Sequence, residues 1–433
     1  MRIFKVSSLA GARIYVLYAL LFFFLLFVFQ NFIVVLFASQ GYPDNLAVGN
    51  IPVSLLLIVL CVSCIRRPEM PSYFFLHLGL SLLITPSLVL YCGGSLPISF
   101  ALTSVSAFLI IAITTIFFDI RRIKLKRVTS KQLLILLTGL SLAFIGSIFV
   151  FGGARFINFD FSRVYGIRSD AAENLPGIFG YLSPLFGKVI IPFATVLSIL
   201  WRRWSMVAIL VGCSVLLFAL TAHKAPLFYP FIVLFVFWVA QSSSKAVELL
   251  LIAILGILAI SSIDFWLYTN GKESMMFGSL FARRVILVPS LLNWFYFDWF
   301  SMHEKYYWAG SKLTLGLIAP PESLSAVNLI GLEYFNNEEM SANTGWIGSG
   351  YANAGLFGVY LYSVLIGLFF SFLNVYGRKL GARLVIALFT LPVLVMLRST
   401  DLTTMLLTHG LLIAMGILMI LRPEGPSPEK VAS

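Results

Sequence analysis

Charge is scarce in this chain. Of its 433 residues only 11% are Asp, Glu, Lys or Arg, four are histidine and four are cysteine, whereas 60% are apolar and 15% aromatic. With a mean hydropathy of +0.97, so few charges exclude a soluble domain, which has about a quarter of its residues charged, and describe a polytopic membrane protein. The cysteines make no disulfide framework: Cys61, Cys64 and Cys213 fall within apolar runs and Cys92 stands alone at a turn. Cys61-Val62-Ser63-Cys64 has redox-motif spacing, but inside a span packing accounts for it. Two of the four histidines, His77 and His409, lie in apolar runs as hydrogen-bonded core residues, and no histidine and carboxylate cluster of the zinc type is present. There is no Walker A loop, no glycine-rich dinucleotide fingerprint and no nucleophile elbow, so ATP-driven transport and NAD chemistry lack support and no cofactor is expected. The first large polar loop has no Asp-x-Asp pair for a metal-dependent lipid-linked sugar transferase, and no metal is expected.

What is present is a series of apolar runs long enough to cross about 30 Å of hydrocarbon. They lie near Ile14–Ala38, Asn50–Ile65, Ser72–Tyr91, Ile98–Phe118, Gln132–Phe151, Tyr181–Trp201, Met206–Thr221, Pro226–Gln241, Val247–Ile263, Tyr351–Leu373, Leu384–Leu397 and Leu402–Leu421. The fold class is therefore an all-α polytopic integral membrane protein of about 12 transmembrane helices with two large periplasmic loops, a single membrane domain over 1–433. The first run is too long and too hydrophobic for a cleaved signal peptide, and no small-residue cleavage site follows it. No repeat of the solenoid type and no low-complexity tract appears, and the tail 423–433, rich in proline and charge, reads as a disordered cytoplasmic segment.

The net charge of +12 is mostly a topology signal rather than a nucleic-acid footprint. With the N-terminus inside, the termini and the alternate loops at Arg66-Arg67, Arg121 to Lys131, Arg202-Arg203, Lys245 and Arg378 to Arg383 hold 19 of the 30 basic residues, as the positive-inside rule requires. Both termini are then cytoplasmic, and the loops 152–180 and 264–350 face the opposite side, the periplasm in a bacterium. The other basic residues have no topological role.

Those outer cations fall into sets: Arg155, Arg163 and Arg168 in the first loop, His223-Lys224 at a turn too short to need a charge, and Arg283-Arg284 in the second loop. Guanidinium groups suit phosphate because they give paired, charge-assisted hydrogen bonds, and a lipid-linked diphosphate carries its charge just outside hydrocarbon. The sets read as one composite diphosphate site. The competing explanation is that they pair with Asp160, Asp170, Glu173, Glu304 or anionic headgroups. Lys188, a turn or two into a span, reads as snorkelling to the interface. The segment from Asp264 to Gly350 holds the densest polar groups of the chain, and so long a polar stretch between spans points to chemistry at the membrane surface. Within it Leu291 to Trp308, crowded with aromatics, reads as an interfacial or re-entrant helix or as a cluster packing the loop onto the spans. Candidate acids and bases are His303, Glu304, Glu322, Glu333, Asp160 and Asp170, none in a diagnostic spacing.

The chain resembles, over most of its length, the bacterial O-antigen polymerases, the oligosaccharide repeat-unit polymerases of the Wzy family. Carrying the resemblance are two outer loops with arginines, Ala282-Arg283-Arg284 leading to Val288-Pro289-Ser290, Glu333-Tyr334-Phe335-Asn336-Asn337, and Ala342-Asn343-Thr344-Gly345 leading into Tyr351-Ala352-Asn353-Ala354-Gly355-Leu356-Phe357-Gly358-Val359. The family often writes its loop arginines with a glycine eleven positions on; here Asn174 stands eleven beyond Arg163 and Trp294 eleven beyond Arg283.

The resemblance implies an inner-membrane glycosyltransferase that moves a growing polysaccharide from undecaprenyl diphosphate onto the distal sugar of a new undecaprenyl-diphosphate-linked repeat unit. Arg163, Arg168, Lys224, Arg283 and Arg284 would bind diphosphate, stabilising its departure without a metal. Glu333 or His303 would deprotonate the acceptor, and Asn336, Asn337 and Asn343 would meet the glycan. Expected partners are the undecaprenyl-diphosphate-linked oligosaccharide, membrane lipids, a chain-length regulator and a flippase of the same pathway, with no nucleic acid. Two rivals stand beside this reading. An O-antigen ligase shares the donor but is expected to carry a histidine set deep in its outer loop. A flippase is expected to show two related bundles with charges lining the middles of spans.

Overall fold

A computed structural model describes residues 9–94, 96–118, 128–160, 170, 173–241, 243–311, 313–314 and 317–422. Among them every regular element is helical, with one isolated bridge between Val128 and Leu421. Among the described residues eight helices are long and apolar enough to cross a membrane, and shorter apolar helices accompany them. The protein is an all-α polytopic membrane protein. The first helix, Leu9–Val28, shows why: Tyr18, Leu21, Phe22 and Leu25 are buried, while Val16, Leu20, Phe23 and Phe27 are exposed at helical spacing on another face. A helix apolar on all sides belongs in lipid. The chain divides into two compact units, one formed by 1–120, 243–372 and 394–402, the other by 121–242, 373–393 and 403–433.

In the first unit the Pro71–Cys92 helix is buried along its whole length. Between helices in lipid the hydrophobic effect supplies little, so close packing and interhelical hydrogen bonds hold the unit. Tyr18 Oη lies 3.0 Å from His77 Nδ1, and Ser290 Oγ donates to the Leu83 carbonyl at 2.9 Å. The Ser243–Thr269 helix runs past Ile263, so Asp264 is a helical residue rather than the start of the polar segment. It is buried, accepts the Gly278 amide at 2.8 Å and pairs with Lys272 at 2.5 Å, fixing the turn into the next helix. That next helix runs from Met276 to Met302 through a π-helical stretch, Ser279–Leu287. It starts and ends earlier than the aromatic run suggests. Its aromatic face packs inward, Phe100 meeting Trp294 and Phe297 edge-on at 5.5 and 5.7 Å.

In the second unit the helices Ser130–Val150, Trp204–Thr221, Ala225–Val239 and Ile178–Leu200 pack together, with Phe144 stacked on Phe186 at 4.1 Å and Phe193 edge-on to Phe389 at 5.5 Å. One expectation changes here. The run Leu402–Leu421 is two helices, Leu402–Leu407 and Leu411–Ile420, broken at Thr408–Gly410. Lys188 has a protein partner in that break, its Nζ lying 3.0 Å from Nδ1 of His409. Cys61, Cys92 and Cys213 are buried and all four cysteines are free thiols.

Candidate functional site

The polar segment of the first unit starts from a widened turn. In a π-helical stretch the i→i+5 pattern inserts an extra residue, and such bulges recur at functional sites. Here the stretch is Ser279–Leu287 and carries Arg283 and Arg284. Arg283 is buried. Its Nε and one terminal nitrogen donate to Ser279 Oγ at 3.2 and 2.9 Å, and the other donates to Gln40 Oε1 at 2.7 Å. The guanidinium lies 4.5 Å above the Phe37 ring. Among the described residues no carboxylate pairs with it, and burial lowers its pKa. Five N–H donors serve three neutral contacts, so the charge is held in place with capacity to spare. Arg284, the next residue, is exposed.

A second guanidinium converges on this turn. Arg398 donates from a terminal nitrogen to the Val285 carbonyl, and its Nε is buried with no partner among the described residues. Three residues on, Asp401 accepts from Tyr362 Oη at 2.9 Å, and that hydroxyl accepts from Trp308 Nε1 at 2.7 Å. Neither Arg398 nor Asp401 was singled out from the sequence. The signal that marks Lys224, charge in a turn too short to need it, marks them as well.

The same helix ends in the second cluster. His303 stacks on Trp299 at 3.8 Å, and its Nδ1 lies 2.8 Å from the Trp299 carbonyl. A carbonyl only accepts, so Nδ1 carries the hydrogen and Nε2 keeps the basic lone pair. Lys305 Nζ donates to the Phe300 carbonyl and, at 3.1 Å, to that of His303, closing the helix end, and lies 5.4 Å above the Tyr351 ring. Burial lowers its pKa. From the neighbouring Ala326–Phe335 helix, Tyr334 stacks on Phe295 at 4.1 Å and donates to Asp298 at 2.6 Å. Burial first, then this bond, holds the Tyr334 phenol far above its ordinary pKa. Glu333 beside it is exposed.

The block Tyr351 to Gly358 explains itself in this frame. The Trp346–Leu380 helix breaks at Ala354 and Gly355, where Gly355 has φ 60° and ψ −143°, a conformation that only glycine adopts without strain. The break frees carbonyls at Ala352 and Asn353, which accept the amides of Tyr306 and Tyr307 at 2.9 and 2.8 Å, while Asn353 Oδ1 accepts the Trp308 amide at 3.1 Å. Across the break a side chain on Gly358 would meet the Gly350 carbonyl. The polar segment is thereby sewn to the mouth of the long helix.

The three asparagines expected to meet glycan have local work. Asn336 takes the left-handed conformation that ends the Ala326–Phe335 helix, Asn337 Oδ1 accepts the Glu339 amide at 3.0 Å, and Asn343 Nδ2 donates to the Ser341 carbonyl at 3.3 Å. Asn337 and Asn343 are exposed. Arg163 and Arg168 lie outside the described residues, as does the tail 423–433. Lys224 is exposed in the second unit at the start of the Ala225–Val239 helix.

One distance separates the candidates. Arg283 and His303 stand near opposite ends of a continuous helix, about 30 Å apart at roughly 1.5 Å per residue. A single glycosidic carbon cannot adjoin both. Among the described residues no group of three or more His, Cys, Asp or Glu has metal-holding geometry. Comparison with protein-family models, with curated proteins and with solved structures finds no match.

Proposed function

We propose that the chain is a bacterial inner-membrane glycosyltransferase that polymerises undecaprenyl-diphosphate-linked oligosaccharide repeat units into O-antigen or a related surface polysaccharide, with about twelve spans and both termini cytoplasmic. The observation that carries the reading is Arg283: a buried guanidinium with neutral partners only, fixed on a π-helical turn beside exposed Arg284. A positive charge preorganised in a partly dry site stabilises a diphosphate more than a solvated lysine does, because nothing must reorganise when the anion arrives.

The length of the helix divides the work. Arg283 and Arg284 hold the diphosphate of a lipid-linked unit, and His303 and Glu333 serve the far end of an oligosaccharide extended from it. His303 Nε2 is the basic atom that would take the proton of the attacking sugar hydroxyl, and the exposed aromatic Tyr307 offers a ring for sugar faces. The departing bond joins the anomeric carbon of the donor chain to its own diphosphate; its electron pair leaves with the phosphate oxygen, and the acceptor oxygen replaces it. The partners on this reading are the lipid-linked oligosaccharide, membrane lipids, a chain-length regulator and a flippase.

Deleting the gene tests it. The lipopolysaccharide gel of the deletion strain should collapse from a ladder to core carrying one repeat. Loss of all capped core would contradict polymerisation and favour a ligase or a flippase.

A further inference from the structure

The exit of the first span, Phe37 to Tyr42, carries no charge, yet it contacts Arg283 from 243 positions away. Gln40 Oε1 accepts from the guanidinium at 2.7 Å, and the Phe37 ring lies 4.5 Å beneath it. The turn that brings them there is fixed. Ala38–Gln40 is a single 3-10 turn closed by Gly41 at φ 75°, and a side chain on Gly41 would press on the Phe295 ring of the helix that carries Arg283. Ala38, Ser39 and Gly41 are exposed and Gln40 is half-buried, so the turn lies at the surface of the unit rather than in its core. Tyr42 follows, buried and edge-on to Phe29 at 6.0 Å. Its hydroxyl is buried with no hydrogen-bond partner among the described residues, a condition that costs stability until something supplies the missing bond. Burial pushes the phenol pKa up, and the nearby charge of Arg283 draws it back. A donor left open beside a cation is matched by an acceptor that carries negative charge.

We propose that this turn completes the diphosphate site at Arg283: Gln40 is a positioning residue that holds the guanidinium with a neutral acceptor, and the Tyr42 hydroxyl is a further donor to the bound phosphate. The anion is the one assigned to Arg283 above, so the proposal rests on that reading. Glutamine does here what glutamate cannot. A carboxylate at the same place would orient the guanidinium equally well but cancel its charge, whereas an amide oxygen fixes the fork and leaves the charge for an anion. Ser279 holds the other edge of the guanidinium on the same terms, with a hydroxyl. Phe37 closes one face of it against water. In these low-dielectric surroundings a phosphate oxygen drawn to Arg283 is the acceptor that the Tyr42 hydroxyl lacks. The turn thus adds orientation and one hydrogen bond to the site, and no charge.

The test is binding of a fluorescent undecaprenyl diphosphate to the full chain in nanodiscs, with thermal melting of the same proteins without ligand. Gln40→Glu keeps the hydrogen bond and cancels the charge, so it should melt no lower than wild type and bind at least roughly tenfold more weakly. Gln40→Leu removes the bond without adding charge; it should melt lower and yet lose less affinity than Gln40→Glu. A merely structural role predicts the opposite order, with glutamate the milder change. Tyr42→Phe should bind roughly tenfold more weakly and melt no lower than wild type, because the hydroxyl it removes has no partner among the described residues. Arg283→Ala, measured alongside, separates the two claims. If it binds weakly while Gln40→Glu and Tyr42→Phe bind as wild type does, the role of the turn is refuted and the diphosphate reading stands; if it also binds as wild type does, both fall. Tighter binding by Gln40→Glu than by Gln40→Leu, or wild-type affinity in Tyr42→Phe, would overturn the proposal.

Discussion

Arg398 and Val285, 113 positions apart, are joined by a hydrogen bond from the guanidinium of the first to the carbonyl of the second. The π-helical stretch that presents Arg283 and Arg284 is therefore braced from outside its own helix. A widened turn leaves backbone carbonyls poorly satisfied, and an unpaired buried carbonyl costs about 1–3 kcal/mol. Arg398→Met should lower the stability of the detergent-solubilised protein by about that amount, with Arg398→Lys recovering part. Thermal melting of the three proteins side by side checks it; an unchanged melting temperature in Arg398→Met would show that the brace carries no load.

Gly355 should tolerate no side chain. Its φ of 60° with ψ of −143° is nearly exclusive to glycine, and alanine there costs about 1–3 kcal/mol. Gly355→Ala should melt lower and also shorten the polysaccharide ladder, since the break organises the amides of Tyr306, Tyr307 and Trp308. Wild-type melting together with a full ladder would refute the role given to the break.

Tyr306 gives a pH signature. Its hydroxyl donates to the Leu324 carbonyl at 2.7 Å, and burial, with Glu322 nearby, pushes its pKa up to about 12. A raised phenol pKa means that the unfolded chain gives up its proton first, so the stabilisation is complete below the ordinary tyrosine value of about 10 and is lost as pH rises through about 12. Tyr306→Phe should cost about 0.5–1.5 kcal/mol at pH 8, and the gap from wild type should narrow by pH 11. A gap that stays constant or widens over that interval would contradict the assignment.

Topology has its own test. Ser341 is exposed in the polar segment, so Ser341→Cys in a background lacking the four native cysteines should react with an impermeant maleimide in intact spheroplasts. Labelling only after lysis would place the segment on the cytoplasmic side and remove the proposed site from the periplasm.

Much of this architecture is legible from hydropathy alone. Helix ends such as Ile98–Phe117 and Ser130–Val150 fall within two residues of the apolar runs, because in lipid a helix ends where its apolar residues end. The breaks were harder. Thr408-His409-Gly410 is a local signal that hydropathy averaging passes over: Gly410 takes the left-handed φ of 84° where the second helix begins, and His409 beside it meets Lys188, 221 positions away. Asp264 reads as the start of a polar segment, yet Lys272 and the Gly278 amide satisfy it inside a helix. At the site, charge in an outer loop marks Arg283 and residue type marks His303, neither by a diagnostic spacing, and the sequence does not show the rod between them. The continuity of the Met276–Met302 helix separates the two, and the proposed function therefore gives them different ends of a substrate.

The most direct measurement is the affinity of the purified protein, in nanodiscs, for a fluorescent undecaprenyl diphosphate. Losing a paired, charge-assisted contact in a partly dry site costs about 1.5–3 kcal/mol, or roughly tenfold to a hundredfold in affinity. Arg283→Ala should weaken binding by that factor, Arg283→Lys should restore only part because it lacks the planar fork, and His303→Ala should leave diphosphate binding unchanged. Wild-type affinity in Arg283→Ala, with the protein folded by its melting curve, would contradict the account.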